Sequence, residues 1–175
     1  MDFLKATMVA ALLISPRLAL AQSSSQGAQR ASQTKTADVL ARLHHANAVE
    51  IRLGDLADAK AEAPGVRQYG QQLVRHHRDA DKMVMDLAKQ ENLTLETKHA
   101  SSDTETSQRL KQARGAEFDR EFLNTMVTDH ENVISMVKQA ASESSDAKLK
   151  QLLEKLLPTL EEHRDHAKGL LAQTR

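Results

Sequence analysis

The chain has 175 residues with 24 basic and 24 acidic side chains, so its formal net charge is zero. It contains one tyrosine, three phenylalanines and no tryptophan. Neither a basic surface nor a stacking platform for bases is therefore expected, and we predict no nucleic-acid partner. The absence of cysteine from this sequence excludes disulfides and thiolate metal ligands within it.

Residues 1–21 have the pattern of a secretory signal peptide. Lys5 precedes an apolar run over residues 6–14, and Ala19-Leu20-Ala21 places small residues at the two positions that a signal peptidase reads. The run is about nine residues long, well short of the ~20 that span a bilayer. We therefore predict cleavage after Ala21 and export to the periplasm or outer envelope of a bacterium. Cleavage would remove two basic residues and one acidic residue, leaving a net charge of −1 and no transmembrane segment in the mature chain.

The remaining chain divides by composition into a linker and a domain. Residues 22–36 are rich in Ser, Gln and Thr with almost nothing to bury, and this predicts a flexible linker. Residues 37–174 have the size of one ordinary domain.

Four apolar-periodic segments predict helices in that domain, because Ala, Leu, Lys, Glu and Gln dominate and Gly and Pro are few. The predicted helices cover residues 37–62, 64–91, 116–142 and 147–173. Asp146 is the expected N-cap of the last one. Residues 92–115 form a long polar connection, with a short helix expected over residues 104–113. We therefore predict an all-α fold: a four-helix bundle of two helical hairpins joined by a long, ferritin-like crossover.

Each predicted helix carries one candidate metal ligand on its apolar stripe: Glu50, His77, His130 and His163. The helical period places each of these residues on the buried side of its helix. Each also lies within about one turn (~5.4 Å) of the middle of its helix. The middle of a helix lies at the middle of the bundle whichever way the helix runs, so the four side chains are predicted to lie at one level and to meet. Three imidazoles and a carboxylate suit a single transition-metal ion, and we name Zn, Fe or Cu as candidates.

A metal-free alternative remains open for the same four residues. An ionised Glu50 without a partner in an apolar interior costs several kcal/mol or becomes protonated. A bound metal would compensate its charge, and so would a protonated histidine. The alternative is thus a buried Glu–His hydrogen-bond network that responds to pH, in a structural or envelope-stress protein.

Three neighbouring residues are candidates to orient the ligand rings: Asp129, Glu162 and His76. Carboxylates beside metal-binding histidines commonly play this part. Adjacent helical residues differ by about 100° in direction, so the same three could equally lie at the boundary or on the surface. His166 is one turn beyond His163, and we predict that it lies outside the site.

Short motifs spread over the domain carry a resemblance to a known family. They are Glu50-Ile51 with Gly54-x-Leu56-Ala57, Leu73-Val74-x-x-His77, Phe118-Asp119, Met126-Val127-x-Asp129-His130 and Leu157-Pro158-x-Leu160-x-x-His163. In these the chain resembles the bacterial domain-of-unknown-function 4142 family, whose members are often labelled predicted outer-membrane proteins and are classed as ferritin-like. The resemblance implies an exported bundle and no established reaction. The family typically has Asp-His where this chain has His76-His77, which puts the orienting role of position 76 in question.

The pattern of a di-iron ferritin-like site is missing from this sequence. Such sites take a Glu-x-x-His pair from each of two helices. The positions three before the histidines are Val74, Val127 and Leu160, which cannot bridge two metals. We therefore predict a mononuclear site with a buffering, sensing or stress role. A metal-dependent enzyme is a less favoured alternative, since it would need an open coordination position and a cavity. The sequence identifies no protein partner and leaves a homodimer open.

Overall fold

The computed structural model describes residues 16–95 and 101–174, with side chains over 29–95 and 105–174. Every element of this part is an α-helix, which confirms the all-α prediction. The helices are α1 (Pro16–Lys60), α2 (Pro64–Gln90), α3 (Ser101–Gln112), α4 (Gly115–Glu143) and α5 (Ala147–Gln173). The residues before Ser32 form a unit of their own, and its described part is helical. All contacts below lie within the second unit, from Ser32 onward.

The helix bounds follow the sequence prediction closely except at the start of α1 and at α3, which is expected over residues 104–113 and covers Ser101–Gln112. The last helix has the predicted bounds, and α2 and α4 agree with theirs to one residue. Helix α1 extends N-terminally from the predicted start at residue 37 and includes residues 22–36, for which composition predicts a flexible linker. Those residues include Gln, Ala, Arg and Lys, which are good helix formers even where nothing is buried. Most of the predicted signal peptide, residues 1–15, lies outside the described residues, and cleavage after Ala21 stays a prediction.

Within the described residues, no helix has a stretch long and apolar enough to cross a bilayer.

The interior is a helical bundle whose apolar core is divided into two clusters. The first cluster lies around the α1–α2 turn and includes Leu53, Tyr69, Leu110, Phe122 and Ala167. The second lies towards the α4–α5 turn and includes Leu40, Val84, Val137, Leu153 and Leu160.

The two clusters give the direction of each helix. Helices α1 and α5 pass from the second cluster to the first, whereas α2 and α4 pass from the first to the second. Helices α2 and α4 therefore run parallel, which requires the chain to return along the bundle between them. Leu110 and Ala113, at the end of that return, are buried in the first cluster.

A close approach of α1 and α2 depends on two glycines, Gly54 and Gly70. A Cβ atom on Gly54 would lie 2.7 Å from the Gly70 carbonyl oxygen, and one on Gly70 would lie 2.8 Å from Ala57 Cβ. Real side chains do not tolerate such contacts, so only glycine lets the two backbones touch here. This contact lies one to two turns from the mid-helix residues Glu50 and His77 and holds the two helices close at their level.

Two buried or half-buried carboxylates secure the helix ends. Asp119 of α4 accepts hydrogen bonds from the backbone N–H groups of Glu62 (3.0 Å) and Ala63 (2.8 Å) at the α1–α2 turn. Asp146 caps α5 by accepting from the N–H groups of Lys148 and Leu149, which confirms its predicted role. Asp146 thus satisfies amides that a helix start leaves without partners, and Asp119 satisfies two amides of the turn between α1 and α2.

Candidate metal centre

A buried polar layer separates the two apolar clusters at the middle of the bundle. Its members are at most 5% exposed: Asn47, Glu50, His77, His130 and His163. Each residue sits between apolar positions of its own helix that belong to different clusters, as His77 does between Leu73 and Val84. The helical period thus turns two polar side chains of α1, and one each of α2, α4 and α5, into the same layer.

The three histidines converge. Ligand atoms of His77, His130 and His163 all lie within 4.8 Å of one another. Their ring centroids form a nearly equilateral triangle with sides of 5.2, 5.3 and 5.6 Å. Two nitrogens bound at ~2.1 Å to one ion can be at most ~4.2 Å apart, so any pair at the upper end of the observed range would have to approach slightly on binding.

Glu50 adjoins this triangle. Its Oε1 atom lies 3.7 Å from His130 Nδ1, within ion-pair range but beyond a hydrogen bond. Its Oε2 atom is buried and has no hydrogen-bond partner in the described structure. The carboxyl group is therefore close to the histidines without being satisfied by them.

Hydrogen bonds fix the tautomers of two rings. His130 Nδ1 lies 2.8 Å from the Met126 carbonyl oxygen, and a carbonyl oxygen only accepts, so Nδ1 carries the proton. His77 Nδ1 lies 2.9 Å from Asn47 Oδ1 and by the same reasoning donates to it. In the neutral rings, Nε2 of both histidines then bears the lone pair. His77 Nε2 is buried and makes no hydrogen bond in the described structure.

His163 connects the triangle to a fourth imidazole. Its Nδ1 lies 3.3 Å from His130 Nε2, and its Nε2 lies 2.9 Å from His76 Nδ1. Because His130 Nε2 is an acceptor, His163 Nδ1 donates to it. His163 Nε2 in turn accepts from His76 Nδ1. The three rings thus form one chain of hydrogen bonds, in which His76 donates to His163 and His163 donates to His130.

Burial keeps the three central histidines neutral. Desolvation is the largest cause in each case, and it lowers the pKa of His77 well below its usual value. Desolvation lowers the pKa of His130 to about 4, although the bond to the Met126 carbonyl acts in the opposite direction. It lowers the pKa of His163 to about 3, with the neighbouring imidazoles adding to the shift. At neutral pH all three rings therefore retain a lone pair for a ligand.

Burial also favours the protonated form of Glu50. Desolvation, and after it the Asp129 carboxylate, raise the pKa of Glu50 well above its usual value. The Glu50–His130 distance suggests an ion pair, but an ion pair would shift both pKa values in the opposite directions. We interpret the pair as two neutral groups, since both side chains are almost fully buried.

The polar layer lines a small cavity of about 30 Å³, whose walls include all four predicted ligands together with Asn47 and His76. That is more than the ~10–15 Å³ that a water molecule needs. The cavity can therefore hold a metal ion or a water molecule.

The predicted orienting residues have different positions. His76 contacts His163 directly and is half-buried. Glu162 is exposed and accepts a hydrogen bond from Gln72, away from the triangle. Asp129 is half-buried and acts on Glu50 through its charge. His166 lies outside the cavity, where its ring pairs with Gln72.

Sequence reasoning missed two residues of the centre. Asn47 orients His77, and the Tyr69 hydroxyl donates to the backbone carbonyl of His163 at 3.0 Å. The signal for Asn47 was its spacing of three from Glu50, which places both on one helix face. Tyr69 gave no comparable signal, because a buried tyrosine is ordinary in a core.

Comparison with known proteins gives one family. The sequence model of a family described as "Domain of unknown function (DUF4142)" matches residues 21–170. No curated protein matches this chain.

Proposed function

This chain belongs to the DUF4142 family, and from the buried centre we propose that it is an exported four-helix bundle that binds a single transition-metal ion. The proposed ligands are His77, His130, His163 and Glu50. The family description assigns no function, so the proposal is argued from the chemistry of the site.

Three buried polar atoms, Asn47 Nδ2, His77 Nε2 and Glu50 Oε2, have no hydrogen-bond partner in the described structure. The last two carry the proposal, because both can ligate a metal. His77 Nε2 and Glu50 Oε2 are both inaccessible and unpaired in the described structure, and both residues line the same cavity. Leaving a buried polar group unsatisfied costs about 1–3 kcal/mol. A metal ion between the histidines would satisfy both atoms at once. Nδ1 of His77 already donates to Asn47, and Nδ1 of His130 to the Met126 carbonyl. Metal-bound histidines commonly donate such a hydrogen bond from the ring nitrogen that does not bind the metal.

The donor set restricts the ion and its role. Three imidazoles and a carboxylate suit Zn, Fe or Cu. Four protein ligands in a closed site are typical of structural or storage sites, whereas catalytic sites keep a position open. The proposal is therefore a buffering, sensing or stress role rather than catalysis.

The ferritin-like assignment is supported by the helix directions. Parallel α2 and α4, with α3 on the return between them, are what a long crossover between two hairpins requires. The chemistry differs from that of di-iron members, because Val74 and Leu160 are buried where bridging carboxylates would be needed.

Export is supported by the pattern of residues 1–21. The measurement that tests it is the N-terminal mass of the protein recovered from a bacterial periplasm, which is expected to begin at Gln22. Recovery of the uncleaved chain from the cytoplasm would contradict export without affecting the metal site.

A metal-free network is the competing function. The directed chain from His76 through His163 to His130 favours it, because these rings satisfy one another without a metal. It leaves His77 Nε2 and Glu50 Oε2 without partners, and for that reason we prefer the metal.

The test is elemental analysis of the mature, untagged protein purified without chelator. We expect about one equivalent of a transition metal, as one mononuclear site requires, and its loss in a His77→Ala/His163→Ala double variant. The matched control is His44→Ala/His166→Ala, which removes two histidines that do not line the cavity. Metal-free wild type that also takes up no added Zn, Fe or Cu would overturn the proposal.

A further inference from the structure

His76 differs from the other ionisable residues of the cavity in its exposure. Glu50, His77, His130 and His163 are 1–4% exposed, whereas His76 is only half-buried. It lines the same cavity as they do. His76 is therefore in contact with both the solvent and the centre.

The contact between His76 and the centre runs through His163. The two rings are stacked, with centroids 5.1 Å apart and planes 20° apart, and their Nδ1 and Nε2 atoms are 2.9 Å apart. The other nitrogen of His163 faces His130 at 3.3 Å. The His163 ring thus has one nitrogen facing the partly exposed His76 and the other facing the buried His130.

A metal ion needs such a series of ligands to reach a buried site. Taking a divalent ion out of water without replacement ligands is very costly, since burying an unpaired charge is among the largest penalties in a protein. Imidazoles about one hydrogen bond apart allow the ion to exchange one ligand at a time. An open groove between α1 and α4 also adjoins the cavity. The two residues that line both, Ala46 and Val133, cannot ligate an ion, so the potential ligands of that groove, Asp38 and His45, are not continued into the cavity.

We propose that His76 is the capture ligand of the metal centre, which takes the ion from solvent and transfers it to His163. This inference rests on the proposed metal-binding function and adds a route to it. His76 is then a transient ligand that lowers the barrier without belonging to the final ligand set. A transient ligand accelerates binding and release by the same factor, and it leaves the equilibrium affinity unchanged.

The test measures both rates in the full-length mature protein. Stopped-flow mixing of metal-free protein with Zn²⁺ gives the rate of uptake, and dilution of the zinc-loaded protein into excess chromophoric chelator gives the rate of release. The main variant is His76→Leu, which keeps much of the side-chain volume and removes the nitrogen ligands. His166→Leu is the control, because His166 is an exposed histidine on the neighbouring helix that does not line the cavity.

We expect His76→Leu to slow uptake and release about tenfold each, which corresponds to a barrier higher by about 1.4 kcal/mol. The dissociation constant should stay within about threefold of wild type, a change well under the tenfold that 1.4 kcal/mol would give. His166→Leu should leave both rates unchanged. If His76→Leu fails to fold, His76→Gln retains a donor for His163 Nε2 and should show the same slowing.

Three results would overturn the inference. Unchanged rates in a folded His76 variant would mean that the ion takes another route, with the proposed function intact. A large loss of affinity caused by faster release would make His76 a permanent ligand. Failure of wild type to bind zinc, iron or copper would remove the proposed function together with its route.

Discussion

At the scale of residues, the centre depends on which nitrogen of each ring carries a proton. The Met126 carbonyl and Asn47 Oδ1 hold the Nδ1 protons of His130 and His77, so both rings offer Nε2. Such outer hydrogen bonds orient a ligand before a metal arrives and raise its basicity.

Asn47→Ala should therefore weaken both the fold and the centre. The variant leaves the buried His77 N–H without an acceptor, which costs about 1–3 kcal/mol. Zinc affinity should fall about 10- to 100-fold, the usual effect of removing such a partner. Urea unfolding of the metal-free protein and a chelator competition titration measure the two effects. Asn132→Ala, an exposed asparagine of α4, is the control and should change neither.

Glu50→Gln should have opposite effects on the metal-free and the metal-bound protein. The pKa of Glu50 is raised by burial, so above its ordinary value of 4.5 the folded state holds a proton that the unfolded state releases. This dependence makes wild type less stable as pH rises. The variant has no such proton, so its stability advantage without metal should increase from pH 5 to pH 8. With zinc it should be the less stable protein. A metal-free advantage that shrinks with pH would contradict the protonated Glu50.

The positions of the proposed ligands could be predicted from the sequence, because the helical period decides which face is buried and the distance from the helix ends decides the level in the bundle. Glu50, His77, His130 and His163 all line one cavity, as that reasoning requires. The outer partners could not be predicted in the same way. Glu162 neighbours His163 in sequence but points to solvent, whereas Asn47 contacts His77 from another helix. Such contacts depend on side-chain direction and ring tautomer, which a single sequence does not encode in its spacing.

At the scale of elements, the contact of α1 with α2 sets the distance across the polar layer. Gly54 and Gly70 let the two backbones touch. The period of the apolar residues predicted both helices, but the close contact depends on how the two glycines face each other. The helical backbone over residues 22–36 was missed for a different reason, since polar composition argues against burial and not against a helix.

Gly54→Ala should separate α1 from α2, because its Cβ atom would lie 2.7 Å from the Gly70 carbonyl oxygen. Overpacking of this kind costs about 1–3 kcal/mol. Zinc affinity should fall as well, since His77 and its acceptor Asn47 lie on the two separated helices. Thermal unfolding and zinc titration test this together.

The matched control is Gly169→Ala in α5, where a Cβ atom meets nothing within 4 Å. That change should stabilise the protein by up to ~1 kcal/mol, since alanine favours a helix. Equal behaviour of the two variants would contradict the tight contact.

At the scale of the whole molecule, a polar layer interrupts the apolar core at its middle. Without metal, the layer is stable only while its histidines are neutral. Their pKa values in the folded state are lowered below 6.5, so the unfolded chain binds protons more readily as pH falls. The histidines therefore do not reduce the free energy of unfolding above pH 6.5, and they reduce it progressively as the pH falls below that value.

The metal-free protein should thus lose stability between pH 6.5 and about 4, the pKa of His130 in the folded state. The lowered pKa of His130 alone corresponds to a loss of about 3 kcal/mol in the free energy of unfolding, at about 1.4 kcal/mol per pKa unit. Glu50 acts in the opposite direction, but it is one group against three. Urea unfolding in chelator at several pH values measures the loss, and His163→Gln should reduce its slope. Stability that stays constant or rises on acidification would contradict neutral buried histidines.

The most direct test of the central claim is a crystal structure of the zinc-loaded protein with anomalous data collected at the zinc edge. We predict one anomalous peak at the polar layer, ~2.0–2.2 Å from a nitrogen of each of the three histidines and from a Glu50 oxygen. A peak only at another histidine, such as the half-buried His44 that lies 2.6 Å from Asp81, would contradict the claim, and so would the absence of any peak.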